Sequence, residues 1–243
     1  MRRLQRNTGF TLIELVIVII IVGVLATVAM RRMGGSVETA RSEHTHREML
    51  ALAQAIAGNP ELHSNGVRTD FGYVGDVGAL PAALDNLVEN PGLATWDGPY
   101  MDRGKSGDDF KRDGWGAGYI YADTVLRSVG SGSTIEHIIA PSLGHLINNT
   151  VRGSLRDAGG SAPGPIWRDS MFVQLVYPDG SGGHTVASTS PLADGSFGFS
   201  SVPIGRQRLR LIFLPTSDTA AIDVPVNRGR PTTVNVTWPT VLF

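Results

Sequence analysis

The residue of this sequence with the strongest claim on chemistry is a carboxylate in an apolar run. Leu15 to Met30 reads LVIVIIIVGVLATVAM without a single charge, and Glu14 stands at its head behind Phe10, Thr11, Leu12 and Ile13. A carboxylate in such a stretch costs about 2.5–3.5 kcal/mol to place in a bilayer, so it needs a partner, and the run itself holds no cation. Other clusters carry less. His44 and His46 sit about 200° apart on a helix and cannot share one metal. Asp108, Asp109 and Asp113 are dense in acid but lack the calcium-loop spacing, and read as a solvated loop. Arg206, Arg208, Arg210, Arg228 and Arg230 form either a basic patch or a solvated strand face, without the aromatic interleaving that single-stranded nucleic acid needs. The chain has no Cys, no His-Glu-x-x-His, no Gly-x-Ser-x-Gly and no phosphate loop, so no enzyme, cofactor or metal site is expected.

The elements that hold these residues follow from charge and periodicity. The 243 residues carry a net charge of −1, which gives no electrostatic reason to expect a nucleic-acid partner. The charge is uneven: Arg2, Arg3 and Arg6 stand alone in residues 1–9, residues 58–149 are net −6, and residues 150–243 are net +2. Residues 10–30 are long enough to cross an apolar core of about 30 Å. A secretory signal peptide or a simple anchor would share this basic-then-apolar pattern, with Thr27-Val28-Ala29 as a weak cleavage site. The helix should continue, because Met49, Leu52, Ala53 and Ile56 recur on one face, and Gly58-Asn59-Pro60 should end it. Gly34-Gly35 is the candidate kink.

Residues 58–149 read as a small α+β head. A short helix is expected over Leu80–Leu87, a strand over Tyr119–Leu126, and a second strand over Leu126–Gly130 that runs into a loop. Seven strand candidates follow: Thr150–Arg156, Met171–Tyr177, Thr185–Thr189, Gly195–Phe199, Gln207–Leu214, Ala221–Val226 and Thr232–Trp238. Alternation is plain in the fifth, with Leu209, Leu211 and Phe213 against Arg208, Arg210 and Ile212, and the whole pattern argues a β-sandwich.

Gly9-Phe10-Thr11-Leu12-Ile13-Glu14 resembles the processing motif of type IV prepilins and type II secretion pseudopilins. The resemblance implies cleavage between Gly9 and Phe10 by a prepilin peptidase that also N-methylates Phe10. It further implies that Glu14 pairs with the Phe10 ammonium of a neighbouring subunit. Gly98, Pro99, Tyr100, Asp113, Trp115, Gly116 and Tyr119, with Ser128 and Gly130, resemble the major pseudopilin of type II secretion. Gly114 and Gly118 stand where that family usually has Pro, and Ala117 where it has Asn. The loop Ser131–Glu136 holds one acid, so the family's calcium is not carried over. Val151–Leu155, Asp194–Phe199 and Val202–Gly205 resemble the carboxypeptidase-regulatory-like, transthyretin-like sandwich.

The resulting expectation is an α+β chain in four parts. Residues 1–9 are a leader, 10–57 a long helix that is transmembrane over 10–30, 58–149 a pilin head with a small antiparallel sheet, and 150–243 an all-β immunoglobulin- or transthyretin-like sandwich. The implied function is that of a structural subunit of a pilin-like filament, closest to a secretion pseudopilin, single-pass in the inner membrane with its head in the periplasm. Its implied partners are the peptidase/N-methyltransferase, other pilin or pseudopilin subunits and an inner-membrane assembly platform. The alternative is a surface pilus or adhesion subunit whose sandwich binds protein or glycan.

Overall fold

The computed structural model describes residues 10–104 and 107–243, the side chains of 29–34 excepted. The expected leader, residues 1–9 with Gly9, and the side chain of Met30 therefore lie outside what is described. Helix α1 (Leu12–Ala57) is unbroken, also across 34–35, and spans about 69 Å. It stops where expected, at Gly58, whose N–H bonds back to the Gln54 carbonyl at 2.7 Å. Among the described residues no helix is long and apolar enough to cross a membrane.

The C-terminal part of α1 supports the head. Around it lie the paired two-residue strands β1 (His63–Ser64) and β2 (Val67–Arg68), helix α2 (Gly72–Val77), and 3-10 turns at Leu84–Leu87 and Asp109–Lys111. An antiparallel sheet follows, made of β3 (Ile120–Ala122), β4 (Val125–Ser128) and β5 (Ile135–Ile138), and then helix α3 (Gly144–Ile147). Two local expectations change. The single strand over Tyr119–Leu126 is a hairpin, because Asp123 adopts φ 56 and turns the chain between β3 and β4, a conformation that Asp tolerates better than most residues. The helix over Leu80–Leu87 shrinks to one 3-10 turn, Leu84–Leu87, in which the Asn86 side chain accepts the Ala83 N–H at 3.0 Å.

All seven C-terminal strand candidates are strands: β6 (Asn149–Arg156), then, after helix α4 (Gly164–Trp167), β7 (Met171–Pro178), β8 (His184–Thr189), β9 (Ser196–Val202), β10 (Gly205–Phe213), β11 (Asp218–Val226) and β12 (Thr232–Thr237). They form two sheets, ordered β11-β10-β7-β8 and β12-β6-β9. Every pair is antiparallel except β12 with β6, which runs parallel from Thr232 opposite Val151 to Thr237 opposite Arg156. The inward residues of both sheets, among them Val151, Val173, Leu175, Phe199, Leu209, Leu211 and Val236, make one apolar cluster.

A separate cluster fills the head, built on Met49, Leu52 and Ile56 of α1 with Val74, Val77, Leu87, Phe110, Leu126 and Leu146. One residue crosses over. Ile204, in the two-residue link between β9 and β10, is 0% exposed within the head cluster, and its N–H bonds the Leu146 carbonyl at 2.7 Å. The Gly180 N–H to the Val77 carbonyl at 2.9 Å and the Arg228 guanidinium to the Ile139 carbonyl at 2.8 Å fix the same end of the two sheets to the head. Arg228 is thereby removed from the basic patch considered for the sheet. Ile204→Ala should cost about 2–5 kcal/mol through the cavity it leaves. Urea denaturation of the full chain, followed by near-UV dichroism, checks this.

Candidate assembly helix and the head that grips it

The N-terminal half of α1 is bare. Phe10 and Leu12 are each 82% exposed, and the large apolar side chains that follow, as far as Val28, are exposed as well. Uncovered apolar area on this scale requires lipid or neighbouring chains. At its start Thr11 is the N-cap, and Thr11 and Glu14 form a reciprocal capping box. The Thr11 N–H donates to Glu14 Oε2 at 3.0 Å, the Thr11 hydroxyl donates to the same oxygen at 2.8 Å, and Glu14 N–H donates to the hydroxyl at 3.3 Å. Glu14 thus has hydrogen-bond donors inside its own segment, although the run holds no cation. Both bonds use Oε2, and Oε1 accepts none among the described residues. The signal was present in the sequence as Thr-x-x-Glu ahead of an apolar run.

About 36 Å further along the axis, the head takes hold of the helix. Glu38, Arg41, Thr45 and Glu48 recur at spacings of three and four, so they share one face of α1. The Trp115 indole N–H donates to Glu38 at 2.8 Å, and the Gly114 N–H donates to the Thr45 hydroxyl at 2.9 Å. That hydroxyl, fully buried, donates onward to the Arg41 carbonyl at 2.9 Å. The Tyr119 hydroxyl donates to Glu48 at 2.8 Å. Burial pushes the Glu48 carboxyl up, against the pull of Tyr119 and His44, and burial with the Glu48 contact pushes the Tyr119 phenol up too. A Cβ on Gly114 would lie 2.5 Å from the Arg41 carbonyl oxygen, so the turn reaches the helix only because no side chain intervenes.

Asp113 holds that turn in shape. It is not part of a solvated acidic cluster: its side chain is buried, while Asp108 pairs with Lys111 at 2.7 Å. One Asp113 oxygen accepts the N–H groups of Trp115 at 3.0 Å and Ala117 at 2.9 Å; the other accepts the Ser128 hydroxyl at 2.6 Å and the Gly130 N–H at 3.1 Å. Burial alone would raise its pKa, but these four donors outweigh burial and hold the carboxyl below its ordinary value. Gly130 must be Gly, since a Cβ there would lie 2.4 Å from Asp113. Gly116 closes the turn, its N–H on the Asp113 carbonyl at 2.8 Å.

Gly98, Pro99 and Tyr100 form a second knot, away from the helix grip. The Gly98–Pro99 bond is cis. The Tyr100 hydroxyl donates to Asp76 at 2.9 Å and accepts the Asp97 N–H at 3.1 Å. Tyr73 and Trp96 pack edge-on against the Tyr100 ring, each with centroids at 5.6 Å. Burial raises both the Tyr100 phenol and the Asp76 carboxyl. The structure thus gathers Asp113, Trp115, Gly116 and Tyr119 on α1, leaves Phe10 and Glu14 at its far end, and adds Thr11, Glu38, Thr45, Glu48 and Asp76, which sequence reading had not singled out. Among the described residues no group of three or more His, Asp or Glu is arranged to hold a metal.

Residues 4–30 match the family model described as the prokaryotic N-terminal methylation motif. The chain is 28% identical over 122 residues to type II secretion system core protein G of Vibrio cholerae serotype O1, covering 50% of this chain and 74% of that protein. It is 30% identical over 95 residues to core protein G of Xanthomonas campestris pv. campestris, covering 39% of this chain and 57% of that one. The chain carries the pilin N-methylation motif and is homologous to type II secretion core protein G. Pilin and pseudopilin homologues are structural subunits, not enzymes. The motif and the pseudopilin homology support a pilin-like or secretion-pseudopilin subunit and point to a membrane-anchored place in a filament with other subunits. Among solved structures, the dioxygenase domain of a dioxygenase carbohydrate-binding protein fusion from Streptomyces sp. SirexAA-E aligns with 39% of this chain and 81% of that chain, at a TM-score of 0.30 and 11% identity.

Proposed function

We propose that this chain is a filament subunit of the type II secretion kind. It is made with a nine-residue leader, cleaved between Gly9 and Phe10, methylated on the new Phe10 amine, and held in the inner membrane by residues 10–30 until neighbours replace lipid around the helix. The head at 58–149 and the sandwich at 150–243 stand in the periplasm. The peptidase/N-methyltransferase, an assembly platform and further pilin or pseudopilin subunits are its partners. The observation that carries this reading is the division of α1: its first half is apolar and uncovered, its second half is the core of a folded head. A helix built this way stores an unfilled interface at one end and a rigid load at the other, which suits side-by-side packing of like helices.

Leader removal tests the reading at its start. Gly9→Leu places a branched side chain at the cut and should abolish maturation, while Gly9→Ala should slow it. The mass of the N-terminal peptide after expression with the cognate peptidase reports both. Complete maturation of Gly9→Leu would remove the processing assignment.

A further inference from the structure

A cleft of about 440 Å³ runs between the head and the outer face of the sheet that contains β10. Its head wall contains Asp76, Thr95, Trp96 and Asp97, and its sheet wall Arg206 and Arg208. The head wall is rigid: the Trp96 indole N–H is tied to the Asn86 carbonyl at 2.7 Å, and the ring stands edge-on to Tyr100 at 84°. An aromatic side chain fixed at its edge and only partly covered offers a flat apolar surface with nowhere to retreat. Asp76 already accepts the Tyr100 hydroxyl at 2.9 Å, but other hydrogen-bonding groups around the ring are unspent. The Thr95 hydroxyl is buried and has no partner among the described residues. Asp97 and Arg208 are exposed, and among the described residues neither side chain has an ion-pair partner, while Arg206 makes one exposed pair, with Asp223 at 3.0 Å.

The chemistry of the lining narrows the ligand. Two carboxylates face two guanidinium groups, and His184, at the sheet wall, adds an imidazole. A phosphate or an acidic sugar would meet Asp76 and Asp97, and a cationic ligand would meet Arg206 and Arg208. A ligand dense in hydroxyls satisfies both walls, since each hydroxyl donates to a carboxylate and accepts from a guanidinium. It also presents an apolar ring face to Trp96. The volume suits one or two pyranose rings. We propose that the cleft between head and sandwich binds a neutral saccharide, stacked on Trp96 and held through its hydroxyls by Asp97 on one wall and Arg208 on the other. This goes beyond the filament reading and does not depend on it, because the cleft is complete in a single chain.

The test uses the full chain in a detergent without a sugar headgroup, titrated with cellobiose, maltose and N,N′-diacetylchitobiose. Digalacturonate, glycine and inorganic phosphate serve as charged comparators. Tryptophan fluorescence and ligand-detected NMR report binding. The expected result is a Kd of about 1 mM or tighter for at least one neutral disaccharide, with each comparator at least about tenfold weaker. Asp97→Ala and Arg208→Ala, at exposed positions without an ion-pair partner among the described residues, should each weaken binding at least about fivefold, and Trp96→Ala should abolish it. The proposal is overturned if no neutral disaccharide binds, if a comparator binds as well as the neutral sugars, or if Asp97→Ala and Arg208→Ala leave affinity unchanged.

Discussion

Asp113→Ala should cost the head about 3–5 kcal/mol, the range for stripping the partner from buried groups that point at a charge. Four donors lose their acceptor together, and three of them are backbone N–H groups that cannot rotate away. A domain of this kind is stable by about 5–15 kcal/mol, so the loss is about a fifth of the total or more. Trp115 and Gly114 would then lose the turn that brings them to α1, and the indole bond to Glu38 should go with it. Urea denaturation followed through tryptophan emission measures the change, and limited proteolysis should find the segment 113–131 newly open. An unfolding free energy within about 0.5 kcal/mol of wild type, as for an ordinary surface change, would contradict this account.

The same carboxylate sets a pH dependence. Its native pKa lies below the unfolded value of about 3.9, so the folded state binds the proton less readily than the unfolded one. The stability it contributes is therefore complete above the unfolded pKa and is lost as pH falls through the native pKa below it. Asp113→Asn, which cannot titrate, should flatten that part of the acid limb, and wild-type and variant stabilities should converge as the medium is acidified.

The second large effect is expected at Glu14. Cleavage as proposed would turn the Phe10 amine into a free α-amino group, a group that is cationic at neutral pH. Thr11 engages one carboxylate oxygen, which leaves the other for a neighbour's amine. Glu14→Gln keeps an oxygen for the capping bonds but removes the charge; Glu14→Leu removes both. Breaking a charge pair out of water by deleting one partner costs about 3–5 kcal/mol, which is more than about a hundredfold in each subunit contact. Both variants should be cleaved normally and both should fail to enter filaments, Glu14→Leu no better than Glu14→Gln. Sheared-filament yield with the variant as sole copy decides the matter. Wild-type yield from Glu14→Leu would show that the capping box is the carboxylate's whole role.

What could be read in advance divides by distance along the chain. Periods of two and of three to four residues located α1's buried face and all seven C-terminal strands, because burial on one side leaves its mark on every second or every third to fourth residue. Local turn chemistry was legible but partly passed over: Asp123 turns β3 into β4, and Thr11 caps Glu14, each within a few residues. The grip of the head on α1 was not legible, since Thr45 and Gly114 are 69 residues apart and neither has a side chain that advertises a partner. By composition Asp113 looked like one acid among three; the motif resemblance set it apart, and its place inside two turns shows physically why it differs from the solvated Asp108. Nothing in the alternation of β9 and β10 marks Ile204 as a resident of the other core, because a lone apolar residue between strands has no period.

That last residue bears on whether the two parts of the chain can be separated. A module joined by a linker can be cut away with the rest of the protein left intact. Here the sandwich strands hand one side chain to the head, and Ile204 fills space beside Leu146 that the head does not fill for itself. The head expressed without those strands would carry a hole at that position, so the boundary between the two parts is a line in the sequence and not in the core.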